Sequence, residues 1–261
     1  MGVVNVTPDS FSDGGRFFDE AAAVQHARKL IADGADILDI GGESTRPGAE
    51  PVPLADELAR VLPVIEAVRR ESAVSISIDT VKPEVARAAV AAGATLWNDV
   101  TALRGAPDSP SVAAELGCEV ILMHMQGEPR TMQDDPRYAD VVGEVRDFLA
   151  ERAEAAVAGG VSRERILLDP GIGFGKRLEH NLALIRGLPE LAALGFPIVL
   201  GVSRKRFIAA VDSTATSAAD RLGGSLAAAL AGAQRGAAVL RVHDVRETVQ
   251  ALAVLSALEA A

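Results

Sequence analysis

The stretch SISIDTVKPEVARAAVAAGATLWND, residues 75–99, holds one complete structural repeat. Ser75 to Ile78 is a short β-rich run that leads into Asp79. Pro83 suits the first turn of a helix reading to Ala92, Gly93 stands where a carboxyl-terminal cap belongs, and Thr95 to Asn98 is a second short run. A strand, a crossover helix and a second strand of this length form a parallel unit. The same alternation recurs outward in both directions, with strand runs at 3–6, 37–40, 75–78, 95–98, 120–123, 166–168, 198–201 and 239–242. Helical stretches lie at 20–33, 54–71, 83–92, 110–116, 138–158, 178–193, 217–235 and 245–259, with Gly34 and Gly117 as further caps. Strands and helices alternating in this way over 261 residues predict a single-domain (β/α)8 barrel spanning residues 1–261. A doubly wound open sheet is the other arrangement such alternation allows.

A balance of 49% hydrophobic and 24% charged residues suits a globular domain able to bury a large core, and 3% aromatic content means that core is built from Ala, Val, Leu and Ile. With 26 Lys and Arg against 36 Asp and Glu, the net charge is −10. That excludes a nucleic-acid or acidic-membrane partner held by a broad basic field, so any anion needs a local site. A single cysteine cannot form an internal disulfide, no stretch reads as a secretory signal and no apolar run reaches membrane-spanning length, so a cytoplasmic setting is expected. Cys118 is read as filling apolar space at a helix-to-strand junction, and His26 and His180, inside helical stretches, as surface residues.

Nearly every strand run ends on a polar or ionisable residue: Asn5, Asp39, Asp79, Asn98 with Asp99, His124, Asp169, Ser203 to Lys205, and Arg241 with His243. Each alone is explained by turn or cap chemistry. All together they are not, because a barrel gathers these ends onto the face where active sites are built. The chain has no His-Glu-x-x-His, Cys-x-x-Cys or Gly-x-Ser-x-Gly, so zinc hydrolysis and serine-nucleophile chemistry find no support. Gly171-Ile172-Gly173-Phe174-Gly175-Lys176 lacks P-loop spacing and carries Lys176 where the last glycine of a dinucleotide fingerprint would fall. It is read as a loop whose backbone approaches a ligand closely.

Longer blocks carry a family resemblance. Asn5-Val6-Thr7-Pro8-Asp9-Ser10-Phe11-Ser12-Asp13-Gly14-Gly15 and Asp39-Ile40-Gly41-Gly42-Glu43-Ser44-Thr45-Arg46-Pro47-Gly48 resemble the first two signatures of the dihydropteroate synthase family. Ser77-Ile78-Asp79-Thr80, Asn98-Asp99, Met123-His124-Met125, Leu168 to Lys176, Ser203-Arg204-Lys205 and Arg241-Val242-His243-Asp244-Val245 are similar to its later blocks, so the resemblance covers essentially the whole chain. It implies condensation of 6-hydroxymethyl-7,8-dihydropterin diphosphate with p-aminobenzoate, giving 7,8-dihydropteroate and pyrophosphate. A folate-dependent, corrinoid-linked methyltransferase would lack the Thr45-Arg46-Pro47-Gly48 block, and a non-catalytic pterin-binding paralogue would have lost some of Asn5, Arg46, Lys205, Arg241 and His243.

The resemblance also implies roles. Asp79, Asn98, Met123, Asp169, Phe174, Gly201, Lys205 and Arg241 would bind the pterin, with Asp169 accepting from its 2-amino and N3–H edge. Asn5, Arg46, Arg241 and His243 would bind the diphosphate, Asn5 being a sparse ligand to Mg2+. Phe11, Thr45, Pro47, Phe174, Lys205 and Arg206 would hold p-aminobenzoate, with the helical turn after Lys205 meeting its carboxylate. Asp13, Asp79, Lys205, Arg241 and His243 would serve catalysis. A homodimer, sulfonamide inhibition and ordering of the loops carrying Phe11 and Pro47 by the first substrate are further expectations of the family.

Overall fold

The structure, a computed structural model, describes residues 1–6, 15–44, 49–128 and 131–260, and the side chains of all of these except 15–19. Asp13, Phe11, Thr45, Arg46 and Pro47 lie outside the described residues. The repeat at 75–99 folds as read: β3 (Ser75–Asp79), α3 (Pro83–Ala91) and β4 (Leu96–Asp99), with Pro83 in the first helical turn and Gly93 at φ +114°. Gly34 and Gly117 likewise take positive φ after their helices, where a side chain would be strained. Before this unit come β1 (Gly2–Asn5), α1 (Gly15–Ala32), β2 (Ile37–Gly41) and α2 (Leu54–Glu71). After it come α4 (Ser109–Leu116), β5 (Glu119–Met123), α5 (Val141–Ala158), β6 (Ile166–Asp169), α6 (Leu178–Arg186) and α7 (Leu188–Ala192). The chain finishes with β7 (Ile198–Gly201), α8 (Arg206–Val211), α9 (Leu222–Ala233), β8 (Ala237–Arg241) and α10 (Val245–Glu259).

All strands are parallel and pair in sequence order from β1 to β8, which excludes the doubly wound sheet, whose order reverses. The ring closes where Val3 N–H donates to Val242 O at 3.1 Å and Val242 N–H to Met1 O at 2.9 Å. This is a (β/α)8 barrel. Its interior is packed by Met1, Leu96, Ile121, Leu167 and Val199, with Ile37 and Val239 against them. The opposite faces of the strands, among them Leu38, Ile78, Trp97, Leu122, Leu168 and Leu200, join the larger core beneath the helices. Two apolar faces per strand explain why runs such as Val120 to Met123 and Ile198 to Gly201 read as short continuous hydrophobic blocks, whereas β3 alternates, with Ser75 and Ser77 facing inward.

Several boundaries differ from the reading. The helix expected at 178–193 is two helices, because Pro189 has no N–H to continue α6 and Gly187 ends it. The helix expected from 138 starts at Val141, where the Glu144 carboxylate turns back to accept the N–H groups of Ala139 and Asp140 at 2.7 and 2.9 Å. The stretch 217–235 yields only α9, preceded by a 3-10 turn at Ala219–Arg221. His26 is not a free surface residue: half-buried, its Nε2 lies 3.2 Å from Val3 O and ties α1 to β1. His180 is also half-buried, and its Nδ1 accepts the Arg177 N–H at 3.1 Å to cap α6. Cys118 is buried between α4 and β5 as read, and burial pushes its thiol up to about 11, away from nucleophilic chemistry. Among the described residues no helix is long and apolar enough to cross a membrane.

Candidate active site

Side chains along a strand alternate between faces, so residues in step with the interior cluster point inward. Counting from Ile37, Leu96, Ile121, Leu167, Val199 and Val239, the last inward positions at the carboxyl ends are Asn5, Gly41, Asp79, Asn98, Met123, Asp169, Gly201 and Arg241. Every one of these except Gly41 is a residue the family resemblance assigns to ligand binding. The register sets them side by side: Asn5 beside Gly41, Gly41 beside Asp79, Asp79 beside Asn98, Met123 beside Asp169 and Gly201 beside Arg241. Gly41 leaves a gap between Asn5 and Asp79, since a Cβ there would come within 3.3 Å of the Asp79 Cβ. Asp99, one residue past Asn98, points the other way. Its carboxylate accepts Thr101 N–H at 2.7 Å and Leu103 N–H at 3.0 Å, holding Ala102 and Leu103 at positive φ, so it builds the following turn.

The charges interlock. Arg241 donates through Nε to Asp39 at 2.6 Å and through a terminal nitrogen to Asp79 at 2.9 Å. Asp39, fully buried one layer below, also accepts from the Asn98 amide nitrogen at 3.3 and 3.4 Å, which leaves the Asn98 carbonyl oxygen for a donor in the recess. Burial alone would lower the Arg241 pKa, but the Asp39 and Asp79 charges outweigh it and raise it. Gly201 lies between the remaining cations: a Cβ there would sit 3.6 Å from Lys205 Nζ and 3.9 Å from Arg241 Cβ. Lys205 donates to Ile172 O, and its ammonium stands 4.9 Å from the centre of the Phe174 ring.

The glycine-rich loop follows β6 directly. Asp169 Oδ1 accepts Gly171 N–H at 2.7 Å, and Gly171 takes φ +66° with its absent Cβ only 1.9 Å from His124 O. No other residue fits there, so the loop lies hard against the chain leaving β5. Lys176, also buried, reaches back to His124 Nδ1 at 2.9 Å and Phe174 O at 2.9 Å. Met123 packs with Val100, Met125 and Met132, and Val81 and Phe174 lie against that cluster, giving the mouth one apolar wall.

Burial raises the Asp169 pKa, opposed by the charges of Lys205, Arg241 and Lys176 and by the Gly171 N–H. Lys205 is lowered to about 8 by burial, with Arg241 adding to the effect and Asp169 resisting it. Asp79 is pushed up to about 7, first by burial and next by the Asp39 charge, against the pull of Arg241. The folded chain therefore holds the Asp79 proton more tightly than the unfolded chain. The stability this confers is complete below the ordinary carboxylate value of 3.8 and is lost as pH rises through about 7. The difference in unfolding free energy between the parent protein and Asp79→Asn is expected to change across that window and level off above it. A constant difference would contradict a raised Asp79.

His243 stands half-buried with Nδ1 3.1 Å from Ser203 Oγ, on the same side of the barrel as Arg241. The helical turn expected after Lys205 is α8, and Arg206, its first residue, is exposed. Of the residues expected around the diphosphate, Asn5, Arg241 and His243 are described and Arg46 is not; Arg241 is shared between two carboxylates. The sequence reading missed Asp39 as the group that orients both Arg241 and Asn98. Its position at a strand end was visible, but its partners lie 202 and 59 residues away. It also missed the buried Glu57, which accepts from Thr80 Oγ1 at 2.7 Å and from Lys82 at 2.5 Å. Trp97 Nε1 donates to Thr80 O at 2.8 Å, so this network fixes the turn after Asp79 from behind.

Residues 1–243 match the family described as pterin binding enzyme. A dihydropteroate synthase of Escherichia coli strain K12 is 48% identical over 257 residues, covering 98% of this chain and 90% of that protein. The dihydropteroate synthase of Xanthomonas albilineans superposes with a TM-score of 0.94 in a structure with 4-aminobenzoic acid, at 52% identity over 100% of this chain and 93% of that one. In its complex with 7,8-dihydropteroate the TM-score is 0.91, at 49% identity and the same coverage. A Yersinia pestis dihydropteroate synthase in a sulfonamide drug complex gives 0.94 at 44% identity, over 100% of this chain and 94% of that one. Matched over nearly its whole length, and with the inward tips of its strands bearing the residues those blocks specify, the chain belongs to the pterin-binding enzyme family, among the dihydropteroate synthases.

Proposed function

We propose that this chain joins 6-hydroxymethyl-7,8-dihydropterin diphosphate to p-aminobenzoate and releases pyrophosphate. The observation that carries the reading is the ring of inward strand tips, where Asp169, Asn98 and Asp79 offer acceptors opposite Lys205 and Arg241 beside an apolar wall of Met123 and Phe174. A pterin is a flat heterocycle with a donor edge formed by its 2-amino group and N3–H, and a carbonyl and ring nitrogen that accept. Asp169 meets the donor edge and Lys205 the acceptors, while the Arg241 guanidinium supplies a cationic plane. Relatives solved with 4-aminobenzoic acid and with 7,8-dihydropteroate support the two substrates.

The chemistry asks for no protein nucleophile. The arylamine, neutral near pH 7, attacks through its own lone pair. As the new C–N bond forms, the C–O bond to diphosphate breaks and pyrophosphate leaves with the electron pair; the amine proton passes to solvent. The chain's work is to hold the pterin flat, to place cationic groups near the departing oxygen and to exclude water. Mg2+ would neutralise charge on the diphosphate oxygens. Such an ion would be held mainly by phosphate oxygens and water. Asn5, level with Asp79 across the gap at Gly41, offers one hard oxygen to it. Measuring pyrophosphate release with and without p-aminobenzoate and Mg2+ tests the reading: release that ignores p-aminobenzoate would overturn it.

Binding order follows from Lys205. Its ammonium donates to Ile172 O, and a pterin supplies competing acceptors that re-aim the stem forming one wall for the aryl ring. Titration calorimetry is expected to show p-aminobenzoate, and the sulfonamides that mimic it, binding at least tenfold more tightly after pterin and pyrophosphate are in place. Equal affinity for the ligand-free protein would contradict this order. We also assign a homodimer, supported by α10. That helix buries only Val245 and Thr248 and leaves Val249, Val254 and Leu258 exposed. Sedimentation at micromolar concentration is expected to give twice the chain mass.

A further inference from the structure

We propose that Lys176 is a positioning residue for the condensation: its buried amine, tied to His124 and to the Phe174 carbonyl, fixes the loop that presents Phe174 and the Ile172 carbonyl to Lys205. The inference rests on the functional reading above, since it assigns Lys205 and Phe174 to the two substrates.

Lys176 is 3% exposed and lies behind the recess rather than in it. Its amine lies within hydrogen-bond distance of His124 Nδ1 at 2.9 Å, Phe174 O at 2.9 Å and His124 O at 3.4 Å. The His124 ring is held edge-on by Phe148 at 4.8 Å between centroids, so the acceptor is rigid. Burial of a cation is costly, and burial is also what lowers the Lys176 pKa well below its ordinary value and brings His124 down to about 3. A position that needed only apolar filling would not carry an amine.

What the amine joins is specific. Gly171, Gly173 and Gly175 all take positive φ, a backbone path with little intrinsic preference for one shape. The loop is pinned at Gly173 N–H by Asn181 Oδ1 at 2.7 Å, at Gly175 O by the Tyr138 hydroxyl at 2.8 Å, and at Phe174 O by Lys176. The Tyr138 ring also lies against the His124 ring, 6.0 Å between centroids, but of these three only Lys176 is hydrogen-bonded to His124, the residue that follows β5 and Met123. Beyond the close approach of Gly171 to His124 O, Lys176 therefore ties the Phe174 wall to the chain that carries the Met123 wall, and with it the seat of Lys205.

The test compares Lys176→Met, which keeps the length and apolar bulk of the side chain, with two His124 variants of nearly equal shape, His124→Leu and His124→Asn. The asparagine oxygen replaces Nδ1 as acceptor and the leucine does not. Lys176→Met and His124→Leu are expected to raise KM for p-aminobenzoate about tenfold or more with kcat changed less than threefold, and His124→Asn to recover most of the loss. Amide exchange over residues 171–176, read by mass spectrometry on the ligand-free protein, is expected to speed up about tenfold in the first two variants and to return toward the parent rate in the third. Parental exchange in Lys176→Met, or equal behaviour of His124→Leu and His124→Asn, overturns the assignment. If a variant does not fold, the exchange comparison between the other two decides. A parent protein that releases no pyrophosphate defeats the functional reading instead, and the exchange data still judge the loop contact by themselves.

Discussion

Arg241→Ala is expected to lower kcat/KM for the condensation by roughly thirty- to a thousandfold, about 2–4 kcal/mol of transition-state stabilisation. Arg28→Ala serves as the control, because Arg28 forms an exposed pair with Glu71 on the outside of the barrel, where solvent screens the charges. Among the described residues, Arg241 is the one side chain hydrogen-bonded to both Asp39 and Asp79. Its removal leaves two buried carboxylates facing each other with no cation between them, so Asp79 takes up a proton more readily and the recess loses both the guanidinium plane and the fixed orientation of its acids. Breaking a buried charge pair also costs about 3–5 kcal/mol of stability, so the kinetic comparison is made at a temperature where circular dichroism shows the variant folded. Arg241→Lys keeps the charge but cannot bridge the two carboxylates through a planar fork, and is expected to fall between alanine and the parent. Equal kcat/KM losses for Arg241→Ala and Arg28→Ala would refute the assignment.

Asp169→Asn is expected to weaken pterin binding about a hundredfold while leaving the barrel folded. The Asp169 carboxylate accepts Gly171 N–H through one oxygen at 2.7 Å, which leaves the other for the ligand. An asparagine can satisfy the glycine with its single oxygen only by turning its NH2 group toward the recess, where the pterin also offers N–H donors. Two donors then oppose each other and a buried polar group goes unsatisfied, an effect of about 1–3 kcal/mol beyond the lost charge-assisted bond. Calorimetry with a pterin lacking diphosphate isolates this edge from the phosphate contacts. Unchanged affinity in a folded variant would move the pterin edge to another acid, and Asp79 is the next inward carboxylate around the ring.

The sequence by itself determined the barrel and most of the inward tips. Short apolar runs separated by helix-length segments allow few topologies, because a parallel strand pair needs a crossover and the crossover has one hand. Alternation along a strand is equally local, and once Ile37, Leu96 or Val199 is inside, the residues two places on are inside as well. Asn98 and Asp99 show the limit. They are adjacent polar residues at a strand end, and only the phase of β4 points one into the recess and sends the other into a turn.

The tertiary structure alone decided which polar side chains pair. Asp39 with Arg241, His124 with Lys176 and Glu57 with Lys82 join residues 202, 52 and 25 positions apart, and no local pattern encodes a contact made by closing a ring. Titration behaviour belongs to the same level. An aspartate at a strand end has an ordinary carboxyl until burial and a neighbouring acid raise it, as they do at Asp79, so the chemistry of the site is a property of the closed barrel and its desolvated mouth.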